Sequence, residues 1–305
     1  MEWTSSQLRS LVELTRRGTI TAVAEVLGYT PGGVSQQLSS LERAVGTPLL
    51  RRVGRRVELT DAGRALAVHA ERMLGVQADA VAALERATRS VSGVLEAGLF
   101  ATAAAEILPA ALSTVHARHP ELTVRSREMV VDEVYDAVSA GAVDIALGLD
   151  YPDMPIRRDP ALRLVRLVTE RFSLAVPKTA LPGREAVSLV DTAGLGWILP
   201  DLDTHYGQAI LTVCRRAGIE PDVRHQVTDT AASLALVEAG VGVTPVTGLM
   251  RRLRPSRFRV LELSECFERH IVVIVRTTAL RRPSVKAFLA VLRGLSAIGG
   301  NEAGR

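Results

Sequence analysis

Thr30, Pro31, Gly32, Ser35, Gln36 and Ser39 form a run of hydroxyl, amide and small residues without a charge among them. Hydroxyls and carboxamides can donate and accept hydrogen bonds, and glutamine pairs bidentately with adenine in a major groove. Shortly after them, Arg51-Arg52-Val53-Gly54-Arg55-Arg56 sets four guanidinium groups around one glycine. Guanidinium forks suit phosphate oxygens and narrow minor grooves. The chemistry on offer is polyanion binding with base-edge contacts. The bland alternatives are a two-helix corner of any domain, and a solvated basic turn.

Positioning those groups takes three helices and a pair of short strands. Ala22, Val23, Val26 and Leu27 recur at helical spacing, and Gly28 is a natural C-terminal stop. Thr30-Pro31 then starts a second helix, with a hydroxyl cap and a proline where no N–H is needed. Val34, Leu38 and Leu41 give that helix one apolar stripe, so Ser35, Gln36, Ser39 and Ser40 lie on its other face. Leu8, Leu11, Val12 and Leu14 make an earlier helix that packs beneath the pair. Leu49-Leu50 and Val57-Glu58-Leu59 flank the arginines as short strands turning at Gly54.

The segment from Leu8 to Gly63 resembles the winged helix-turn-helix of LysR-type transcriptional regulators. LRSLVEL, ITAVAEVLGYTPGGVSQQLSSLE and GTPLLRRVGRRVELTDAG carry the resemblance. The matching positions include Ala22, Ala24, Ser35, Gln37, Leu38, Leu41, Glu42, Gly46, Pro48, Leu49, Arg52, Leu59, Thr60 and Gly63. The resemblance implies that Thr30, Pro31, Gly32, Ser35, Gln36 and Ser39 face double-stranded DNA, and that Arg52, Arg55 and Arg56 form the wing. Gln36 stands where the family often has arginine, and Gly32-Gly33 where it often has Pro-Ala. Adenine is therefore the expected preference at the Gln36 contact.

Charge placement fits a DNA-binding head. The formal net charge is only +4 over 305 residues, yet Met1 to Thr60 holds eight arginines against five glutamates. No basic-then-apolar leader opens the sequence, and no apolar run reaches membrane-spanning length. A cytoplasmic location is expected, with no membrane partner. Cys214 and Cys266 lack metal-ligand spacing and are expected as buried, inert thiols, although a redox pair stays open as a variant.

After Thr60 the chain predicts a helix from Asp61 to about Thr88. Leu66, Ala70, Met73, Ala80 and Leu84 approximate a heptad seam, interrupted by Gln77. A self-partner is expected there, giving a homodimer; tetramers are common in the family, and RNA polymerase is a further candidate partner. From Val94, strand and helix patterns alternate, predicting a parallel α/β sheet with helices on both faces. Tyr151 to Pro160 is a proline-rich crossover, and a second lobe is expected from Leu162. LEAGLFATAAAEILPAAL, AGAVDIALGLDYP, CRRAGIEPDVRHQVTD and SLALVEAGVGVTPV resemble the effector-binding domain of LysR-type regulators, a periplasmic-binding-protein-like architecture.

The expected fold class is α/β overall. It comprises a helical winged head over 1–60, a linker and dimerisation helix over 61–89, and a two-lobed effector domain over 93–305. Lobe I takes 93–161 and 267–300, and lobe II takes 162–266. Open α/β sheets bind ligands at the carboxyl ends of their strands. Thr102, Ala103, Glu128 and Asp150 lie at such ends in lobe I, as do Leu199, Asp201 and Thr228 in lobe II. The Thr102 hydroxyl suits a polar or anionic group, whereas three nearby carboxylates favour a neutral or cationic effector. Strand-end capping is the structural alternative for each.

Competing chemistry is thin. The histidines at 69, 116, 119, 205, 225 and 270 form no metal pair, and Gly240-Val241-Gly242-Val243 lacks the third glycine of a dinucleotide fingerprint. No Gly-x-Ser-x-Gly elbow is present. No catalytic residues, metal or cofactor are expected. The leading expectation is a DNA-binding regulator that responds to a small molecule. The alternative is a cytoplasmic small-molecule-binding protein or redox sensor on the same scaffold.

Overall fold

The computed structural model describes residues 2–53, 56–87, 91–156, 159–254 and 257–299. Three capped helices build the head: α1 (Ser5–Arg17), α2 (Ile20–Leu27) and α3 (Pro31–Val45). The side chains of Thr4, Thr19 and Thr30 each accept a backbone N–H at a helix start. Gly18, Gly28 and Gly46 end the helices in the left-handed conformation that glycine adopts without strain. Leu11, Val23, Val34 and Leu41 are fully buried where the three helices meet. Val12 also lies in this core. β1 (Leu50–Val53) and β2 (Arg56–Leu59) form the expected antiparallel hairpin, with Arg52 opposite Val57. Glu42 ties the hairpin to α3 by accepting the Leu49 and Leu50 N–H groups at 2.8 and 2.9 Å.

The helix α4 (Asp61–Ala87) follows, starting at Thr60, whose hydroxyl accepts the Gly63 N–H at 3.0 Å. Thr88, its expected end, lies outside the described residues. The expected seam divides. Ala70 is fully buried in the head core and Leu66 packs against that core. Met73, Ala80 and Leu84 instead face solvent, joined by Val76. Near its far end Glu85 holds Arg282 at 2.7 Å and the Ser284 hydroxyl at 2.8 Å.

The remaining chain runs β3 (Gly93–Leu99), α5 (Ala101–Glu106), α6 (Leu108–Arg118), β4 (Leu122–Glu128), α7 (Val134–Ser139), β5 (Ile145–Asp150), β6 (Leu162–Arg171), β7 (Ser173–Val176), β8 (Ala186–Val187), β9 (Gly196–Leu199), α8 (His205–Arg216), β10 (Asp222–Gln226), α9 (Thr230–Glu238), β11 (Thr244–Val246), α10 (Gly248–Arg252), β12 (Arg259–Leu263), β13 (Glu268–Arg276) and α11 (Pro283–Gly299). The first sheet has the order β4-β3-β5-β13-β6. Its β3, β4 and β5 are parallel, as expected, but β13 runs antiparallel to both β5 and β6. The sheet is therefore mixed, not parallel throughout. The strand at Leu162, expected to open the second lobe, is an edge of this first sheet and crosses over only after Arg171.

The second lobe sets β11-β7-β12-β8 beside the parallel pair β10-β9, which Trp197 bridges to Val243. Two crossings join the lobes, β6 to β7 and β12 to β13. A buried lock sits between them. Arg269 pairs with Glu170 at 2.7 Å, donates to the Thr247 hydroxyl at 2.8 Å and lies 5.6 Å from the Phe172 ring centre. Glu170 also accepts the Leu249 N–H at 2.8 Å. Two crossing strands and α10 are thereby held by one ion pair.

Candidate functional site

The exposed face of α3 follows from its caps. Thr30 accepts the Gly33 N–H at 3.1 Å, and Pro31 takes the first helical position. With Val34, Leu38 and Leu41 buried, Thr30, Pro31, Gly32, Gln36 and Ser39 are turned to solvent and Ser35 is half-buried. A Cβ at Gly32 would meet nothing within 4 Å, so the isolated fold does not require glycine there. Arg43, which the sequence reading passed over, is also exposed and donates to the Ser40 hydroxyl at 2.8 Å. Its signal was its place one turn beyond Ser39. Gln37, by contrast, accepts a hydrogen bond from Ser10 and serves packing between α1 and α3.

On the wing, Arg52 is exposed and Arg51 pairs with Glu58 at 3.0 Å. Arg55 lies outside the described residues, and of Arg56 only the backbone position opposite Val53 is described. The face thus combines amides and hydroxyls on a helix with guanidinium groups on a hairpin. That combination can read base edges and bind phosphates.

The expected effector residues fall into two groups. In lobe I, Leu99 pairs with Glu128, and Gly98 with Ala146, in parallel register. Thr102 and Ala103 on α5, Glu128 and Asp150 therefore share one carboxyl edge. In lobe II, Gln226 pairs with Leu199, which brings Leu199, Asp201 and Thr228 to the corresponding edge. The lobes meet along these edges. Asp132 accepts the His205 N–H at 3.1 Å, Tyr151 stacks on Tyr206 at 5.8 Å, and Glu106 pairs with Arg252 at 2.5 Å.

Individual roles differ. Thr102 is buried, and its hydroxyl makes no hydrogen bond among the described residues. Ala103 and Leu199 are fully buried. Asp150 accepts the Ile156 N–H at 3.2 Å and Asp201 the Asp203 N–H at 2.9 Å, so both carboxylates serve their own turns. Glu128 and Thr228 are exposed. A cavity of about 720 Å³ opens between α7, the crossover and the start of α8, lined by Asp132, Tyr135, Asp136, Leu149, Met154 and His205 among others. None of the seven expected residues lines it. The reading missed it because α7, the crossover and the start of α8 meet only in the fold. Buried beside it, Tyr151 has a phenol raised well above its ordinary range by desolvation.

The cysteines correct one expectation. Cys214 is buried as expected, but Cys266 is exposed. Burial first, then Glu220 and Glu265, pushes the Cys214 thiol up to about 12. Among the described residues, no group of three His, Cys, Asp or Glu could hold a metal ion. No helix there is long and apolar enough to cross a membrane.

Family comparisons agree with this geometry. Residues 5–64 match the bacterial regulatory helix-turn-helix protein, lysR family, and residues 88–297 match the LysR substrate binding domain. The HTH-type transcriptional regulator TdfR of Cupriavidus pinatubonensis is 30% identical, over 94% of this chain and 97% of its own. The HTH-type transcriptional regulator ShiR of Corynebacterium glutamicum is 33% identical, over 73% and 77%. Full-length CbnR, solved with its target DNA, shares the fold with a TM-score of 0.56 at 24% identity, covering 97% of this chain and all of that one. A helix-turn-helix head joined to a substrate-binding α/β module defines a transcriptional regulator. The chain belongs to the LysR family of transcriptional regulators.

Proposed function

We propose that the protein binds a specific operator as a dimer, and that a small molecule held between its α/β lobes changes how it does so. The observation that carries this reading is the largely exposed hydroxyl and amide face over the first turns of α3, flanked by Arg43 and an arginine-bearing wing. Thr30, Pro31, Gly32, Ser35, Gln36 and Ser39 read the major groove, while Arg52, Arg55 and Arg56 hold phosphates. The head spans 1–60, the strut 61–89 and the ligand module 93–305.

Dimerisation is supported by the apolar stripe on α4, where Met73 is 42% exposed, Val76 69% and Leu84 68%. Monomers rarely leave such a row uncovered. Two such dimers would make a tetramer, and RNA polymerase would be the partner of an activating form. The reaction is binding alone, without catalysis or cofactor, in the cytoplasm.

The effector reading rests on the two carboxyl edges that face each other and on the unbonded Thr102 hydroxyl. A ligand shifts the lobe arrangement only by binding one state better than the other. The test is calorimetry with metabolites of the neighbouring genes' pathway, together with a footprint on the upstream intergenic DNA. An inducer should bind the wild type, alter its footprint and lose affinity in Thr102→Val. Unchanged affinity in the variant with an altered footprint would remove Thr102 from the site.

A further inference from the structure

The head touches lobe I of its own chain. Arg17 on α1 pairs with Asp136 on α7, and Arg16 donates to the Ser139 hydroxyl at 3.3 Å. Both arginines are also held by Glu13, which is fully buried, at 3.0 Å from Arg16 and 3.4 Å from Arg17. Ala140, at the end of α7, packs into the head's hydrophobic core. These contacts favour docking.

Other contacts at the same face oppose it. Arg127 crowds the end of α2: its Nη1 lies 2.5 Å from where a Cβ on Gly28 would stand. Yet its Nε and Nη2 are buried without a hydrogen-bond partner. A half-buried guanidinium with two unbonded nitrogens is costly, although Glu133 is close enough to offset part of its charge. Glu133 is held above the ordinary carboxylate range by burial, and next by Glu25 of the head and by Asp132. A cavity of about 350 Å³ also remains where α1, α4 and lobe I meet, bordered by Arg9, Arg16, Glu71 and Arg276.

We propose that α1 and α7 form a releasable latch, holding the DNA-binding head on its own lobe I in a deliberately incomplete contact. The latch lies beside the turn that leads from Gly28 into α3, so docking brings lobe I against the reading head. Asp136 and Ser139 also line the 720 Å³ cavity between α7 and α8. The helix that grips the head therefore also borders a cavity of the ligand module. This last link rests on the effector reading above, whereas the latch itself does not.

The test is hydrogen–deuterium exchange of the full-length protein, followed on peptides covering 131–140. Arg17→Asp and Asp136→Arg should each speed exchange there by about threefold or more, as expected for losing a partly exposed ion pair. The double swap should restore it in part, because the pair re-forms with its charges exchanged while Glu13 loses its contact with position 17. Arg127→Met, which leaves the head's sequence intact, should instead slow exchange by removing the two unbonded guanidinium nitrogens. Unchanged exchange in both single swaps, with the head folded by circular dichroism, overturns the latch. Should the swaps unfold the head, faster or unchanged exchange in Arg127→Met overturns it. An inducer that binds but leaves 131–140 unchanged removes the ligand link and leaves the latch standing.

Discussion

Gln36 is exposed on α3 while its neighbour Gln37 accepts a bond from Ser10, so two adjacent amides have opposite surroundings. Gln36→Ala should cost ~1–3 kcal/mol of discrimination between the operator and a single-base variant, leaving binding to random DNA nearly unchanged. Equal losses on both duplexes, measured by competition gel shift, would make it a non-specific contact. Arg52→Ala should act the other way, weakening both duplexes and lowering the salt slope by about one. The thiols divide as sharply. Cys214 stays protonated at neutral pH because burial lifts it to about 12, and Cys266 is exposed. Native protein should release one equivalent of thionitrobenzoate quickly, and a second only on denaturation. Two fast equivalents would show that Cys214 is accessible.

At the scale of elements, α4 serves two surfaces. Ala67 and Ala70 seat the head, whereas Met73, Val76 and Leu84 are uncovered. Its 27 residues rise about 1.5 Å each, roughly 40 Å in all, comparable with the ~34 Å between adjacent half-sites. Changing Met73 and Leu84 together to glutamate should yield monomers in sedimentation and abolish operator binding. A persistent dimer with full affinity would place the interface elsewhere. The Glu170–Arg269 lock makes a second element-scale prediction. Both side chains are under a tenth exposed, so Arg269→Ala should destabilise the effector domain by about 3–5 kcal/mol in urea unfolding. A loss below about 1 kcal/mol would place the pair in a solvated, replaceable category. Local signals predicted these elements unevenly. Thr19, Gly28 and Thr30-Pro31 marked the helices of the head because capping is written in adjacent residues. The break between α5 and α6 was missed, although Pro109 lacks the N–H to continue a helix and stood in plain view.

The whole molecule was legible where neighbours in sequence are neighbours in space. The head, the strut and the β-α-β order of lobe I followed from periodicity and resemblance. The direction of β13 did not: its partners begin at Ile145 and Leu162, over a hundred residues earlier, and alternation of side chains carries no strand polarity. For the same reason β6 was assigned to the wrong sheet. The surface proposed to meet DNA was legible as a surface, since one helix and one hairpin supply it. The cleft was read only as strand ends; the cavity beside it needs α7, the crossover and α8 brought together. Arg16 and Arg17 were counted as head charge, and their reach to Ser139 and Asp136 became visible only in three dimensions. That the α3 face reads sequence is the proposal on which the others depend. It is tested most directly by fluorescence anisotropy of the full-length protein at physiological salt, with one duplex from its upstream intergenic DNA and one scrambled duplex. A preference of at least about a thousandfold for the genuine duplex is expected. Equal affinity for the two would contradict it.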